Sequence, residues 1–378
     1  MVSGRRGSQW WTAATIVCAA LLLADAAPAP AADVGVKFRF LESASTVEGG
    51  WALVTLGMAR VSLSASSENV KADLAVDAIL GGGLLEHGIA LDLARASVGV
   101  RFPGFRLTVG KARLSWGEGV AFNAGDLLFG SDSAASLDLT ADVLRDDAAW
   151  LTSVYVPLGR FSFAEAVALP PPVDIAAFIV NPLAVPDPSE VALGGRLVGK
   201  LAGIKTEAAY LFRGTELAHH AAVSLQGNLG VDWHLSASAS LPATAPEAQD
   251  LADSLRVSAG FFHFQRLGDR ATLSIRLETL LAPGCDWQEE EPSASAVYGI
   301  LLYPELALAL DDAITITARA LVSPVDGSAL LVPGVSLSLH KGLAFLGMAT
   351  VGIGDKTDSY GFERPGGLAF LLGCAYVW

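Results

Sequence analysis

The chain has 378 residues, 52% of them hydrophobic and 17% charged, with a formal net charge of −14. Soluble domains carry about 25% charged residues, and a nucleic-acid partner requires a basic surface, so composition argues against both. Beyond residue 32 no uninterrupted apolar run reaches the roughly 18 residues that a membrane helix needs.

In chain order, the first feature is a leader. Arg5 and Arg6 give a positive start, Trp10 to Leu23 an apolar core, and Ala24 to Ala32 a small-residue stretch with several Ala-x-Ala options. This pattern predicts a cleaved signal peptide over residues 1–32, cut between Ala26 and Ala32, and one further unit over residues 33–378. The Arg pair suggests twin-arginine export as an alternative, but the residues around it fit poorly and ordinary Sec export is favoured. A lipoprotein reading of Cys18 is rejected because Val17 is bulky and the apolar core continues past it.

From Val34 onward, segments of about ten residues alternate between apolar and polar positions. Ala271 to Glu278 is the clearest; Val36 to Phe40, Lys71 to Ala78, Val231 to Ser236 and Ile314 to Arg319 repeat it. Strict alternation gives a strand two different faces. Short turns (Ser66–Asn69, Pro103–Gly104, Pro157–Arg160, His340–Gly342) alternate with longer connections (Gly81–His87, Gly117–Asp147, Pro170–Pro188, Gly354–Gly366). That arrangement predicts an all-β fold, a transmembrane antiparallel β-barrel of about 18 strands, with 16 as the alternative. Trp51, Trp116 and Trp150 then fall at one set of strand ends and Trp233, Tyr376 and Trp378 at the other, as an aromatic girdle requires. Two residues fit this frame badly. Glu165 falls on the apolar face of its strand, and Pro304 sits inside a strand where it cannot donate to a ladder, which predicts a bulge or shift. Cys285 falls in a loop and Cys374 on the lipid side, so no disulfide is expected.

The last residues, Gly367 to Trp378, alternate large and small and stop on tryptophan, which resembles the closing strand of a Gram-negative outer-membrane β-barrel. A second stretch runs Gly110-Lys111-Ala112-Arg113-Leu114-Ser115-Trp116-Gly117, followed by Asn123-Ala124-Gly125-Asp126. It resembles a motif of porin-like outer-membrane proteins, among them alginate-export-like and related solute channels. Ala112 stands where that motif has Gln, and Ala124 where it has Pro. The resemblance implies the outer membrane of a diderm cell, passive transport and no cofactor. Expected partners are outer-membrane lipids, the barrel-assembly machinery and small solutes, with homo-oligomer formation left open. The residues alone predict a bulge at Gly110 that sends Ala112, Leu114 and Trp116 outward and Lys111, Arg113 and Ser115 inward.

On the assigned phases, Lys71, Arg106, Lys111, Arg113, Arg196, Lys205, Arg213, Arg256, Arg276 and Arg319 line a solute path. A net-positive tunnel concentrates anions; the alternative is that these charges pair across strands and only solvate the wall. Two long loops are apolar for exposed segments, so Phe122, Asn123, Asp126 and Phe129 in one, and Phe178 and Asn181 in the other, are candidates for an inward constriction. The alternative is that those loops pack on each other above the membrane. Histidines are few, and His219 and His220 point to opposite faces of one strand, so no metal site is expected. Nothing marks a positioned nucleophile and base. A loop-plugged barrel carrying a specific or hydrophobic solute, and a non-transport barrel acting as an adhesin or structural protein, are the competing functions.

Overall fold

The computed structural model describes residues 32–47, 50–83, 86–130, 148–171, 188–288, 298–311, 313–339, 342–364 and 366–378. The predicted leader, apart from Ala32, lies outside them, as do Phe178 and Asn181. The strands are β1 (Ala32–Val47), β2 (Gly50–Ser66), β3 (Val70–Gly83), β4 (Glu86–Arg101), β5 (Arg106–Ala112), β6 (Ala149–Gly159), β7 (Ser162–Leu169), β8 (Ala192–Leu201) and β9 (Ile204–Arg213). They continue as β10 (Ala218–Asn228), β11 (Asp232–Pro242), β12 (Arg256–Leu267), β13 (Ala271–Leu281), β14 (Ile300–Leu310), β15 (Ile314–Ser323), β16 (Ser328–Ser338), β17 (Leu343–Ile353) and β18 (Leu368–Val377). One short helix, α1 (Ala248–Ser254), sits between β11 and β12.

Each strand pairs antiparallel with its sequence neighbours, and β18 returns to β1, making one closed 18-stranded sheet. The closing ladder runs from Lys37↔Val377 to Ser45↔Ala369. It is extended by Val36 N–H to Trp378 O at 3.0 Å and Trp378 N–H to Val36 O at 2.9 Å. Closure leaves no sheet edge, the condition under which strands can cross a bilayer with every backbone group paired. The outer surface carries exposed aliphatic and aromatic residues, among them Phe40, Leu91, Leu197, Phe261 and Leu306. Trp51 stacks on Phe370 at 6.3 Å, Trp150 is exposed, and Trp378 is 72% exposed. Trp233 is on the same row as exposed Leu235, at the short-turn edge.

Several local expectations change. Gly81–His87 is not a long loop, because β3 and β4 pair as far as Gly83↔Glu86; glycines supply the same backbone donors and acceptors as other residues. The turn expected at Pro157–Arg160 lies instead at Arg160–Phe161, after a register irregularity between Pro157 and Gly159. Pro304 causes no shift. The β14–β15 register is the same at Leu302↔Val322 and Glu305↔Arg319, and pairing simply lapses between them, where proline has no N–H to give.

Glu165 faces the lumen. It lies opposite Tyr155 and Arg196, and Arg196 Nε donates to its carboxylate at 2.9 Å. The row that faces outward on β7 is Ala164, Ala166 and Ala168. Taking the larger Phe163 as the outward residue inverts this strand, whereas the Arg196 guanidinium lies over the Phe163 ring at 5.3 Å on the inner side.

Candidate functional site

The lumen is narrowed by the chain that follows β5. At Gly110 the backbone takes φ +123°, and a Cβ there would lie 2.1 Å from Ala96 O. The ladders to β4 and β6 keep their register through this point, so one left-handed glycine, rather than an inserted residue, redirects the strand. Lys111 reaches Asp92 at 3.5 Å. Ala112, Leu114 and Trp116 then turn inward, contrary to expectation, and pack with Leu151, Val167, Ala209 and Leu211 of the inner wall. Trp116 is 0% exposed and donates its indole N–H to Glu165 at 3.3 Å. It is therefore part of the interior and not of the aromatic girdle. An interfacial indole would need one wet end.

Wall carboxylates fix the loop by its backbone. Gly117 N–H donates to Glu207 at 2.9 Å. Glu278 takes the N–H groups of Val120 (3.0 Å), Ala121 (2.8 Å) and Phe122 (2.9 Å). Such a nest of successive N–H groups suits an anion, and here the anion is a side chain of β13. Ala124 N–H donates to Ser258 Oγ at 2.9 Å. Three basic residues act on the same loop. Arg196 donates to Ser115 O at 2.9 Å, Arg213 to Leu127 O and Leu128 O at 2.8 and 2.9 Å, and Lys205 pairs with Glu118.

Within the loop, Asn123 Nδ2 donates to Trp116 O at 2.8 Å, and Asp126 accepts from the N–H groups of Leu128 and Phe129. Phe122, 0% exposed, packs with Ala121 against Leu280, Tyr303, Leu321 and Val332, and Tyr360 from the β17–β18 connection joins that cluster. The described part of this loop thus lies inside the barrel and bridges the β6–β9 wall to β12–β16. Phe122, Asn123, Asp126 and Phe129 all lie in this part of the loop.

The basic residues do not form one free stripe. Arg196 is 11% exposed in its side chain and sits between Glu165 (2.9 Å) and Glu207 (3.3 Å). Arg276 lies 3.7 Å from Glu278 and 3.5 Å from Glu305, and Arg319 lies 3.0 Å from Glu305. Lys71 pairs with Asp73 at 3.1 Å, Arg106 lies over Tyr155 at 4.8 Å, and Arg256 donates to Asp253 O and Leu255 O. Arg113 is exposed beside the turn into the lumen. Above the loop, toward the long-loop edge, a cavity of about 560 Å³ is lined by Asp126, Phe129, Arg213, His220 and Arg256, among others. A second, of about 530 Å³, lies on the opposite side of the barrel between β15–β18 and β1–β2. Among the described residues no three His, Cys, Asp or Glu side chains are grouped to hold a metal.

The sequence reading missed Glu165, Glu118 and Arg95. Arg95 pairs with Ala75 across a register irregularity between Ala75 and Asp77, and that irregularity resets the phase of β4. The periodicity on either side of it carried the signal; only its break hid the residue.

No family model matches the chain, and comparison with curated proteins gives no match. Solved structures do match. OccK2 (OpdF) of Pseudomonas aeruginosa aligns over 92% of this chain and 97% of its own at 12% identity, with a TM-score of 0.56. OccAB4 of Acinetobacter baumannii aligns over 93% and 99% at 8% identity and 0.57. The outer membrane protein OprD of Pseudomonas aeruginosa aligns over 92% and 93% at 10% identity and 0.53. The fold is that of the outer-membrane porins. At these identities the likeness concerns backbone architecture, and the site above is described from this chain's own residues.

Proposed function

We propose that this chain is an outer-membrane channel for passive diffusion of small hydrophilic solutes, with a preference for anions. The carrying observation is the loop fixed inside a closed barrel. It narrows the lumen on the β6–β16 side and leaves the wall of β17–β18 and β1–β5 as the route. The long-loop edge is then extracellular and the short-turn edge periplasmic. The arrangement supports transport rather than catalysis.

Anion preference rests on the β1–β5 wall. There Lys37, Arg39, Arg60, Lys71, Arg101 and Arg106 face Asp73, Asp77 and Asp92, with Asp33 at the rim. Arg196, Arg276 and Arg319 contribute little, because Glu165, Glu207, Glu278 and Glu305 offset them. OccK2 has been crystallised in complex with glucuronate, an anion, and that supports the reading by analogy of fold. The test is reversal potential across a planar bilayer in a salt gradient. Wild type should favour chloride, and Arg39, Arg101 and Arg106 changed together to Gln should move it toward cations. The shift should shrink as salt rises and the Debye length falls below about 8 Å. A protein that inserts and does not conduct would overturn the channel reading; unchanged selectivity in the variant at low salt would overturn the anion preference.

A further inference from the structure

The cavity opposite the loop is unlike the rest of the lumen. Its wall carries Leu41, Leu56, Met58, Leu346, Met348 and Leu371, on β1, β2, β17 and β18. These positions alternate with the outward ones. Leu371 lies between exposed Phe370 and Leu372, and Leu41 is opposite Leu56 in the β1–β2 ladder. An aqueous channel interior is ordinarily polar, and a contiguous aliphatic patch facing water costs hydration. None of the described residues of the inward loop lines this cavity. Arg39 and Arg319 reach the same recess, with Thr315 and Thr317 beside them.

We propose that this recess is a solute-binding subsite for amphipathic anions with a flexible aliphatic chain, a medium-chain carboxylate being the simplest. The inference rests on the channel reading above and names its solute class. Three features fix the chemistry. The volume, about 530 Å³, lies within the range of roughly 300–1,000 Å³ typical of small-molecule sites. The Arg39 guanidinium sets the sign of the head group, while Arg319, at the edge of the recess, is held by Glu305. Leucine, methionine and valine line it without an aromatic ring, so the wall offers dispersion contact to a bending chain and no stacking platform for a planar ring or a sugar face. The two methionines suit a chain of variable shape, because their side chains adapt to irregular neighbours. The solute lies lengthwise on the aliphatic wall with its carboxylate toward Arg39, and the hydroxyl-bearing side chains keep the remaining face wet.

The test is blockade of single-channel current by octanoate, butanoate, octylammonium and glucuronate, one at a time. A methylene leaving water entirely gains about fourfold in binding, so contact on one side only gives roughly twofold for each. Octanoate, four methylenes longer, should therefore dwell about sixteenfold longer than butanoate, while glucuronate and octylammonium give short blocks. Met58→Asn with Met348→Asn should bring octanoate down to the butanoate level. Leu371→Ser serves as the second variant if that pair fails to assemble, and should shorten the octanoate block in the same direction. Octanoate dwelling no longer than butanoate, octylammonium blocking as long as octanoate, or a long octanoate block that survives both variants would each overturn the subsite. The channel reading survives any of those results so long as the protein conducts. It fails on its own if wild type inserts without conductance.

Discussion

Replacing Glu278 tests whether the inward loop is held by the wall or only rests against it. In the native protein this carboxylate is 1% exposed and accepts three successive backbone N–H groups from Val120 to Phe122. Glu278→Ala leaves those donors buried without an acceptor, at about 1–3 kcal/mol each, so staying in place costs roughly 3–9 kcal/mol. Leaving the wall costs the tip the burial of Phe122, about 1.5–3 kcal/mol for a side chain of that class. The penalty for staying is the larger, so the tip detaches. Glu278→Gln keeps one carbonyl acceptor and should lie between. Single-channel recording should show a larger, noisier conductance for the alanine variant, intermediate for the glutamine one. Removing a negative charge beside Arg276 alters conductance by itself, so amide hydrogen exchange over residues 117–125 is the deciding measurement. Wild-type protection there in Glu278→Ala would show that the loop is positioned by packing alone, and the anchoring argument would be refuted.

Three further outcomes follow from the same structure. Arg319→Gln should lower thermal stability rather than shift selectivity. It removes one partner from the mostly buried Glu305, which keeps Arg276 and the Tyr303 hydroxyl, so the loss is about 1.5–3 kcal/mol, that of one charge-assisted hydrogen bond, and a selectivity change with unaltered melting would contradict it. Deleting Trp378 removes both backbone bonds to Val36 and should slow barrel closure, seen as a larger unfolded fraction by heat-dependent gel mobility; normal closure would count against that strand seam. Asp326, in the β15–β16 turn, accepts from Ser328 and from Ser359 of the β17–β18 connection. Burial works against its charge, but these hydrogen bonds outweigh that and hold its pKa below the ordinary 3.8. A depressed carboxylate contributes stability that is present above about pH 4 and lost as pH falls through its lower folded value. Amide hydrogen-exchange protection at Ser359 and Tyr360 should fall in that acid window, and Asp326→Asn should remove the pH dependence.

The barrel was legible because each of its strands repeats one rule, and a period of two survives mistakes in any single segment. The errors occurred where size and polarity disagreed about which face was outside. On β7 the outward row is alanine, so no large apolar side chain marks that face and Glu165 looked misplaced. Its lumen position follows only once Arg196, 31 residues later, is known to lie opposite. Trp116 failed for a related reason, since an indole at a strand end suits a lipid interface and a buried loop anchor equally well. What separates those readings is Glu165 at 3.3 Å, a neighbour no local pattern reports.

The same limit explains the lumen charges. Counting basic and acidic residues on the inner phase predicted a positive tunnel, and that count cannot see that an acid may be occupied. Glu207 and Glu278 serve backbone donors 90 and about 157 residues away in sequence. An inward loop brings orphan N–H groups that must find acceptors, and here wall side chains supply them at Glu207, Glu278 and Ser258. Carboxylates in such a wall therefore have two claimants, the guanidinium groups beside them and the backbone above. Where both are satisfied, as at Glu207, the acid neutralises its arginine and pins the loop together. Selectivity is then left to the β1–β5 wall, where basic residues exceed acids, and a charge count becomes a statement about permeation only after the loop's hydrogen bonds have been assigned.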